Sequence, residues 1–320
     1  MKIDKSKTNS IRKAFGKTLA EIGELNEKIV VMDADLACST QTKIFADKFP
    51  DRFFDCGIAE QNMLATAAGL ASEGKIPFVA SFAVFVTGRT YDQIRNGICY
   101  PNFNVKIVGT HGGVTVGEDG ATHQALEDIS LMRGLPHMTV IVPADCKECQ
   151  EAIKYAALHE GPTYIRIPRS NVPDIFDENY SFNVQKAVVV EEGTDASIFT
   201  NGETLAEVLL AAEELKKENI NLEVINVPVV KPLDSQTVIE SVKKTKLAIT
   251  VENHSIIGGL GSAICETLSD KLPSKVYRIG VNDEFGQSGT AEELIEHYGL
   301  DSKTLATKIK TMINKEKEQD

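Results

Sequence analysis

The sequence predicts an α/β protein made of two successive three-layer domains, each with a mainly parallel sheet. Short β-branched runs alternate with amphipathic helical patterns along most of the chain, as crossover units require. A polar, proline-bearing stretch without a clear period, SNVPDIFDENYSFNV at 170–184, separates two such sets and reads as a linker. The segments richest in chemistry are loops that leave the strand-like runs.

In order, Ile11, Ala14, Phe15, Leu19 and Ile22 keep helical spacing, and 29–32 reads as a strand. A short strand at 52–54 leads through DCGIAEQNM into an alanine-rich helix ending near Gly74. Strand-like runs at 76–82, 105–108, 139–142 and 163–167 alternate with helical patterns near 59–72, 89–99, 124–133 and 146–158. Beyond the linker, strands are expected near 186–192, 195–200, 222–227, 246–252 and 275–281, with helices near 203–217, 234–243, 259–270 and 291–298. The tail KTMINKEKEQD is expected to fray. These patterns place the first domain at 1–178, including the start of the linker, and the second at 179–320. Gly258-Gly259-Leu260-Gly261 follows a strand and opens a helix, which superficially suggests a dinucleotide site. The full GxGxxG spacing is absent, so close helix packing is the better reading.

At 320 residues the chain can bury two substantial cores, and its 42% hydrophobic content is ordinary for a globular protein. A formal charge of −12 argues against nucleic acid held by bulk electrostatics, so a bound phosphate would need local cations. No apolar run approaches membrane-spanning length, and MKIDKSKTNS lacks a signal-peptide core, so export is not expected. Six cysteines make no disulfide framework and fit a reducing cytoplasm. Cys146-Lys147-Glu148-Cys149 has CxxC spacing, but it lies in a helical pattern without a second pair to complete a zinc site.

The loop VGTHGGVTVGEDGATHQ, 108–124, leaves the buried run at 105–108 and carries Gly112, Gly113, Gly117 and Gly120. Glycines permit sharp bends and close approach to a ligand. His111, Glu118, Asp119 and His123 add proton donors and acceptors suited to a polar substrate. A helix is expected from Gln124.

Together, GIAEQNM and GEDGATHQ resemble two segments of the transketolases, in the same order and in matching contexts. The likeness runs from about Arg12 to Leu300 and corresponds to the C-terminal half of a transketolase: a pyrimidine-binding domain followed by the transketolase C-terminal domain. It implies that Glu60 faces the aminopyrimidine of thiamine diphosphate, promoting the tautomer that makes the cofactor its own base. On residue type alone, Glu60 could equally be a carboxylate favoured by a helix N-terminus. Phe82 and Phe85 match aromatics that form the pyrimidine pocket, although either could be a core residue. Which of them stacks directly is open, and Gly88 stands where a third aromatic is expected. Asp119 and His123 match groups that hold substrate hydroxyls and the donor's C1 oxygen region, and His123 is also implied to be catalytic. Arg12, Ser39, His111 and Arg169 match contacts to the substrate phosphate. Without the family, the arginines read as solvated and Ser39 as the cap of a helix beginning at Thr40.

The family's diphosphate and Mg²⁺ motif, GDG with a later asparagine, has no counterpart here; Gly117-Glu118-Asp119-Gly120 belongs to the substrate loop. The resemblance therefore implies the C-terminal subunit of a split transketolase, with no metal ligand in this chain. An N-terminal subunit would bind Mg²⁺ and the diphosphate, most simply in an α2β2 assembly. The implied reaction transfers a two-carbon ketol unit from a ketose phosphate to an aldose phosphate. The alternatives are a 2-oxo acid dehydrogenase E1 beta-like subunit, whose family lacks the GEDGATHQ loop, and a deoxyxylulose-phosphate synthase-like subunit, which would lack His111. A non-catalytic transketolase-like partner is the alternative from another class.

Overall fold

The computed structural model describes residues 3–318; the outermost two residues of the N-terminal segment and of the tail expected to fray lie outside the described residues. The larger sheet runs Val229–Lys231, Thr139–Ile141, Thr163–Arg166, Lys106–Thr110, Ile76–Phe82, Ile29–Asp33, Phe53–Asp55. Every neighbouring pair is parallel except the first. The three strands Ile29–Asp33, Ile76–Phe82 and Lys106–Thr110 are buried along their whole length, which explains their continuous apolar runs.

Register sets the function of this sheet. Asp33 lies beside Asp55 and Ala80, Phe82 beside Thr110, and Gly109 beside Arg166, so the strands finish nearly level. The segments bearing Ser39, Glu60, Phe85, His111 and Arg169 therefore leave one edge. Helix Ile11–Leu25 is capped by Ser10 Oγ, which accepts the Lys13 N–H at 3.3 Å, and buries Ile11, Phe15, Leu19 and Ile22. Burial of each such side chain contributes about 1.5–3 kcal/mol. A Cβ on Gly16 would lie 2.3 Å from the Gln41 carbonyl, so glycine lets this helix approach the turn that carries Ser39.

Two helical expectations are corrected here. The 89–99 pattern becomes two wide, π-type turns, Phe85–Arg89 and Gln93–Cys99. The next helix starts at Asp128 rather than Gln124. Residues 124–127 cannot wind into it because Gly113 N–H donates to the Ala125 carbonyl at 2.9 Å and the Gln124 side chain is committed elsewhere.

The second sheet runs Val276–Val281, Ala248–Ser255, Ala196–Thr200, Leu222–Asn226, Val188–Glu191, with only the last pair antiparallel. Here the glycine segment packs closely. Glu252 accepts the N–H groups of Leu260 and Gly261 at 2.7 and 2.8 Å, filling the start of helix Leu260–Lys271 with a buried carboxylate. A Cβ on Gly259 would lie 2.1 Å from Glu252 Oε2.

The tail is also corrected: Ser302–Lys317 is helical, capped by Asp301 at Lys303 N and Thr304 N. Leu305, Ala306, Ile309 and Ile313 form its buried stripe, against helix Thr204–Lys216. Dense Lys and Thr around that stripe conceal it in the sequence.

The halves interlock. Val229–Lys231, unrecognised in the sequence, pairs antiparallel with Thr139–Ile141 at the edge of the first sheet, and Val142 N–H donates to the Pro228 carbonyl at 2.7 Å. Inside the linker, Val172–Pro173 pairs with Thr8–Asn9. Asp145 Oδ2 accepts Ile175 N and Phe176 N at 2.8 and 2.7 Å. The adjacent Glu148 accepts Ala144 N and Asn226 Nδ2, each at 2.8 Å, and the Tyr180 hydroxyl.

Burial raises the Glu148 pKa from 4.5 to about 7. The unfolded chain then loses this proton at lower pH than the folded one, so stability falls as pH rises from about 4.5 to 7. Glu148→Gln should remove a pH-dependent loss of about 3 kcal/mol. Urea midpoints at pH 5 and 8 test this: an unchanged difference between them in the variant would show that Glu148 ionises normally.

Candidate active site

Asp55 Oδ1 accepts Asp35 N and Gly57 N at 3.0 and 2.9 Å, fixing the bend after strand Phe53–Asp55. Gly57 takes a positive φ of 65°, and helix Glu60–Ser72 follows. Glu60, its first residue, is 5% exposed. Its Oε1 accepts Arg89 Nη1 at 2.9 Å, and the Arg89 guanidinium lies 4.0 Å from the centre of the Phe85 ring. Gln61 Nε2 donates to the Arg89 carbonyl at 2.9 Å.

The expected aromatic residues come together with both histidines. His111 stacks on Phe82 with centroids 3.8 Å apart; Phe82 lies nearly parallel to Phe85 at 5.9 Å. His123 meets Phe85 edge-on at 5.2 Å. Phe82 is buried beneath His111, whereas Phe85 is half-buried.

Beside this group lie the expected phosphate residues. Buried Asp33 organises the turn that holds Ser39: it accepts Leu36 N at 2.7 Å and the hydroxyls of Thr40 and Thr42 at 2.7 and 2.8 Å. Burial nonetheless raises the Asp33 pKa. Ser39 lies within helix Ala37–Thr40, so the reading that it caps a helix at Thr40 is corrected. Arg12 donates to the Ser39 carbonyl at 2.7 Å and to the Arg169 carbonyl at 3.1 Å, while its buried Nε has no partner. Arg169 donates to the Val116 carbonyl and to Glu118 Oε2, the latter at 3.0 Å. His111 has φ 59° and shares a 2.9 Å hydrogen bond between Nδ1 and Thr110 Oγ1. Burial, then the charges of Arg12 and Arg169, push its pKa down to about 3, leaving a neutral imidazole.

Gly113, Gly117 and Gly120 supply the positive φ angles that shape the loop Val114–Asp119, and Asp119 stands exposed at its end. The sequence did not identify the residues that hold this loop. Gln124 Nε2 donates to the carbonyls of Val114 and Gln287 at 3.2 and 2.9 Å, bridging to the second half. Asn253 Oδ1 accepts Val114 N at 3.0 Å and its amide nitrogen donates to Glu203, which also accepts the Thr115 and Ser170 hydroxyls. Behind them, Asp128 accepts Arg166 Nε at 2.9 Å and Tyr164 OH at 2.6 Å. Residue type alone does not mark them, because contacts such as Val114–Asn253 and Gln124–Gln287 join residues 139 and 163 positions apart.

Burial raises the Cys146 pKa to about 12 and that of Cys149 well above its usual value, which favours inert thiols. Among the described residues, no group of three His, Cys, Asp or Glu is placed to hold a metal ion, and no helix is long and apolar enough to cross a membrane.

Comparisons with known proteins identify the family of the two domains. Residues 7–174 match the family model "Transketolase, pyrimidine binding domain", and residues 185–305 match "Transketolase, C-terminal domain". A Methanocaldococcus jannaschii protein named as a transketolase C-terminal section is 47% identical over 310 residues, 96% of this chain and 97% of that protein. A 6-deoxy-6-sulfo-D-fructose transketolase subunit from a Clostridium strain is 42% identical, covering 92% of each. A solved structure described as a split-gene transketolase in an inactive beta4 tetramer superposes with a TM-score of 0.89 at 46% identity, covering 95% of this chain and 98% of that one. The chain belongs to the transketolase family, as a C-terminal section comprising the pyrimidine-binding and C-terminal domains.

Proposed function

We propose that this chain is the C-terminal subunit of a split, thiamine-diphosphate-dependent transketolase that moves a two-carbon ketol unit from a ketose phosphate to an aldose phosphate. The observation that carries this reading is the meeting of Glu60, the Phe82–Phe85 pair, and the group of Arg12, His111 and Arg169 on one sheet edge.

The donor set fits the aminopyrimidine part of the cofactor: a buried carboxylate stands beside the half-buried ring of Phe85. When bound, thiamine diphosphate supplies the carbanion chemistry that side chains lack. Glu60 holds a proton at the pyrimidine ring nitrogen, Phe85 offers its face, and Phe82 supports it from beneath His111. Asp119 and His123 orient the sugar hydroxyls. His111 contributes a neutral hydrogen-bonding edge, and Arg12 and Arg169, with Ser39, hold the phosphate. An N-terminal subunit brings Mg²⁺ and the diphosphate site, in an α2β2 assembly. By this reading the isolated chain folds but shows no ketol transfer with thiamine diphosphate and Mg²⁺; turnover by the purified chain alone would refute the split-subunit assignment.

Glu60→Gln keeps the shape but cannot exchange the proton, and should cost the assembled enzyme roughly 10²-fold or more in kcat. Near-normal turnover, with assembly checked by size-exclusion chromatography, would reduce Glu60 to a helix-terminal carboxylate.

Arg12→Ala and Arg169→Ala separate phosphate binding from support. A charge-assisted hydrogen bond contributes about 1.5–3 kcal/mol, so kcat/KM for an aldose phosphate should fall roughly 10- to 100-fold. The unphosphorylated aldose should lose far less. Equal losses would instead mean that the arginines act through the main-chain carbonyls of Ser39, Arg169 and Val116. No loss with either acceptor would move the phosphate elsewhere.

A further inference from the structure

We propose that Arg89 is a gate on the ring-binding face: its guanidinium competes with the aminopyrimidine for the Glu60 carboxylate and the Phe85 ring, so the cofactor ring enters as Arg89 swings out. The inference rests on the pyrimidine assignment of Glu60 and Phe85 made above.

Arg89 presents to this pair the two features that a flat heteroaromatic ring would use. One is an N–H edge, 2.9 Å from Glu60 Oε1. The other is a planar, delocalised face whose central carbon is 4.0 Å from the Phe85 centroid. A flat ring in van der Waals contact with Phe85 where Arg89 lies would have to displace it. Two further rings neighbour Phe85: Phe82 lies nearly parallel at 5.9 Å and His123 meets the ring edge-on at 5.2 Å.

Burial explains why a competitor is built in. Glu60 is 5% exposed, and a buried carboxylate without a hydrogen-bond partner is costly. Arg89 meets that requirement, and a pyrimidine nitrogen bearing a proton would meet it in turn. The exchange involves little else. The Arg89 side chain is 50% exposed, so water can receive the displaced cation. Gln61 Nε2 holds the Arg89 carbonyl at 2.9 Å, confining the movement to the side chain. The wide turn Phe85–Arg89 sets Arg89 four positions beyond the ring it covers. A half-exposed ion pair and a cation–π contact of this kind are each weak enough to be displaced.

The test is calorimetric titration of thiamine diphosphate, with Mg²⁺, into the chain assembled with its N-terminal subunit. Arg89→Ala should tighten binding roughly 3- to 10-fold, the scale of the two contacts removed. Arg89→Lys keeps a charge for Glu60 but loses the flat face, and should fall between that variant and the parent; it also serves if Arg89→Ala does not assemble. Phe85→Ala should weaken binding. If Phe85→Ala weakens binding while neither Arg89 variant tightens it, the gate is wrong and the pyrimidine assignment stands. If Phe85→Ala leaves the affinity unaltered, the ring does not use this face and both fall.

Discussion

Parallel strand pairing is the constraint on which the rest of the molecule depends. Each crossover must return its chain to the starting edge of the sheet, so every strand in the parallel run ends at the opposite edge. Arg12 and Arg169, 157 positions apart, then meet across a few ångströms. The level register of Asp33, Phe82, Thr110 and Arg166 turns that topological rule into a working surface.

On that surface, the chemistry is set by uneven desolvation. The chain carries a formal charge of −12, yet Arg12 and Arg169 are gathered around a buried histidine that they help to keep neutral. Buried carboxylates are each assigned a different task. Asp33 winds the Ser39 turn, Asp128 anchors Arg166 and Tyr164, Asp145 holds the linker, and Glu252 fills a helix start. Glu60 differs because its partner, Arg89, is half-exposed and exchangeable.

Much of the first sheet was legible because strands buried on both faces leave continuous β-branched runs. The short edge strand Val229–Lys231 was not, since three residues between prolines carry no period. The last helix was hidden because its buried positions, Leu305, Ala306, Ile309 and Ile313, are diluted by lysines and threonines. In the candidate site, glycine and charge exposed the loop, and likeness to the transketolases supplied the expectation that Glu60, Phe82 and Phe85 serve one site. Arg89, Gln124, Glu203 and Asn253 stayed invisible. Their contacts come from folding, and residue type alone does not distinguish a solvated arginine or asparagine from one holding a loop in place.

The edge strand Val229–Lys231 has a consequence for how the polypeptide can be divided. It completes a sheet whose other strands all lie before residue 170, and Val114, Leu126 and Ala144 share one apolar core with Ile198, Leu205 and Leu209. A protease nick at 177–184 would therefore yield two fragments that stay clasped together. Expressing the N-terminal fragment alone would uncover the strand Thr139–Ile141 as a bare pairing edge, inviting self-association. The two halves are distinct in pattern but interdependent as solids.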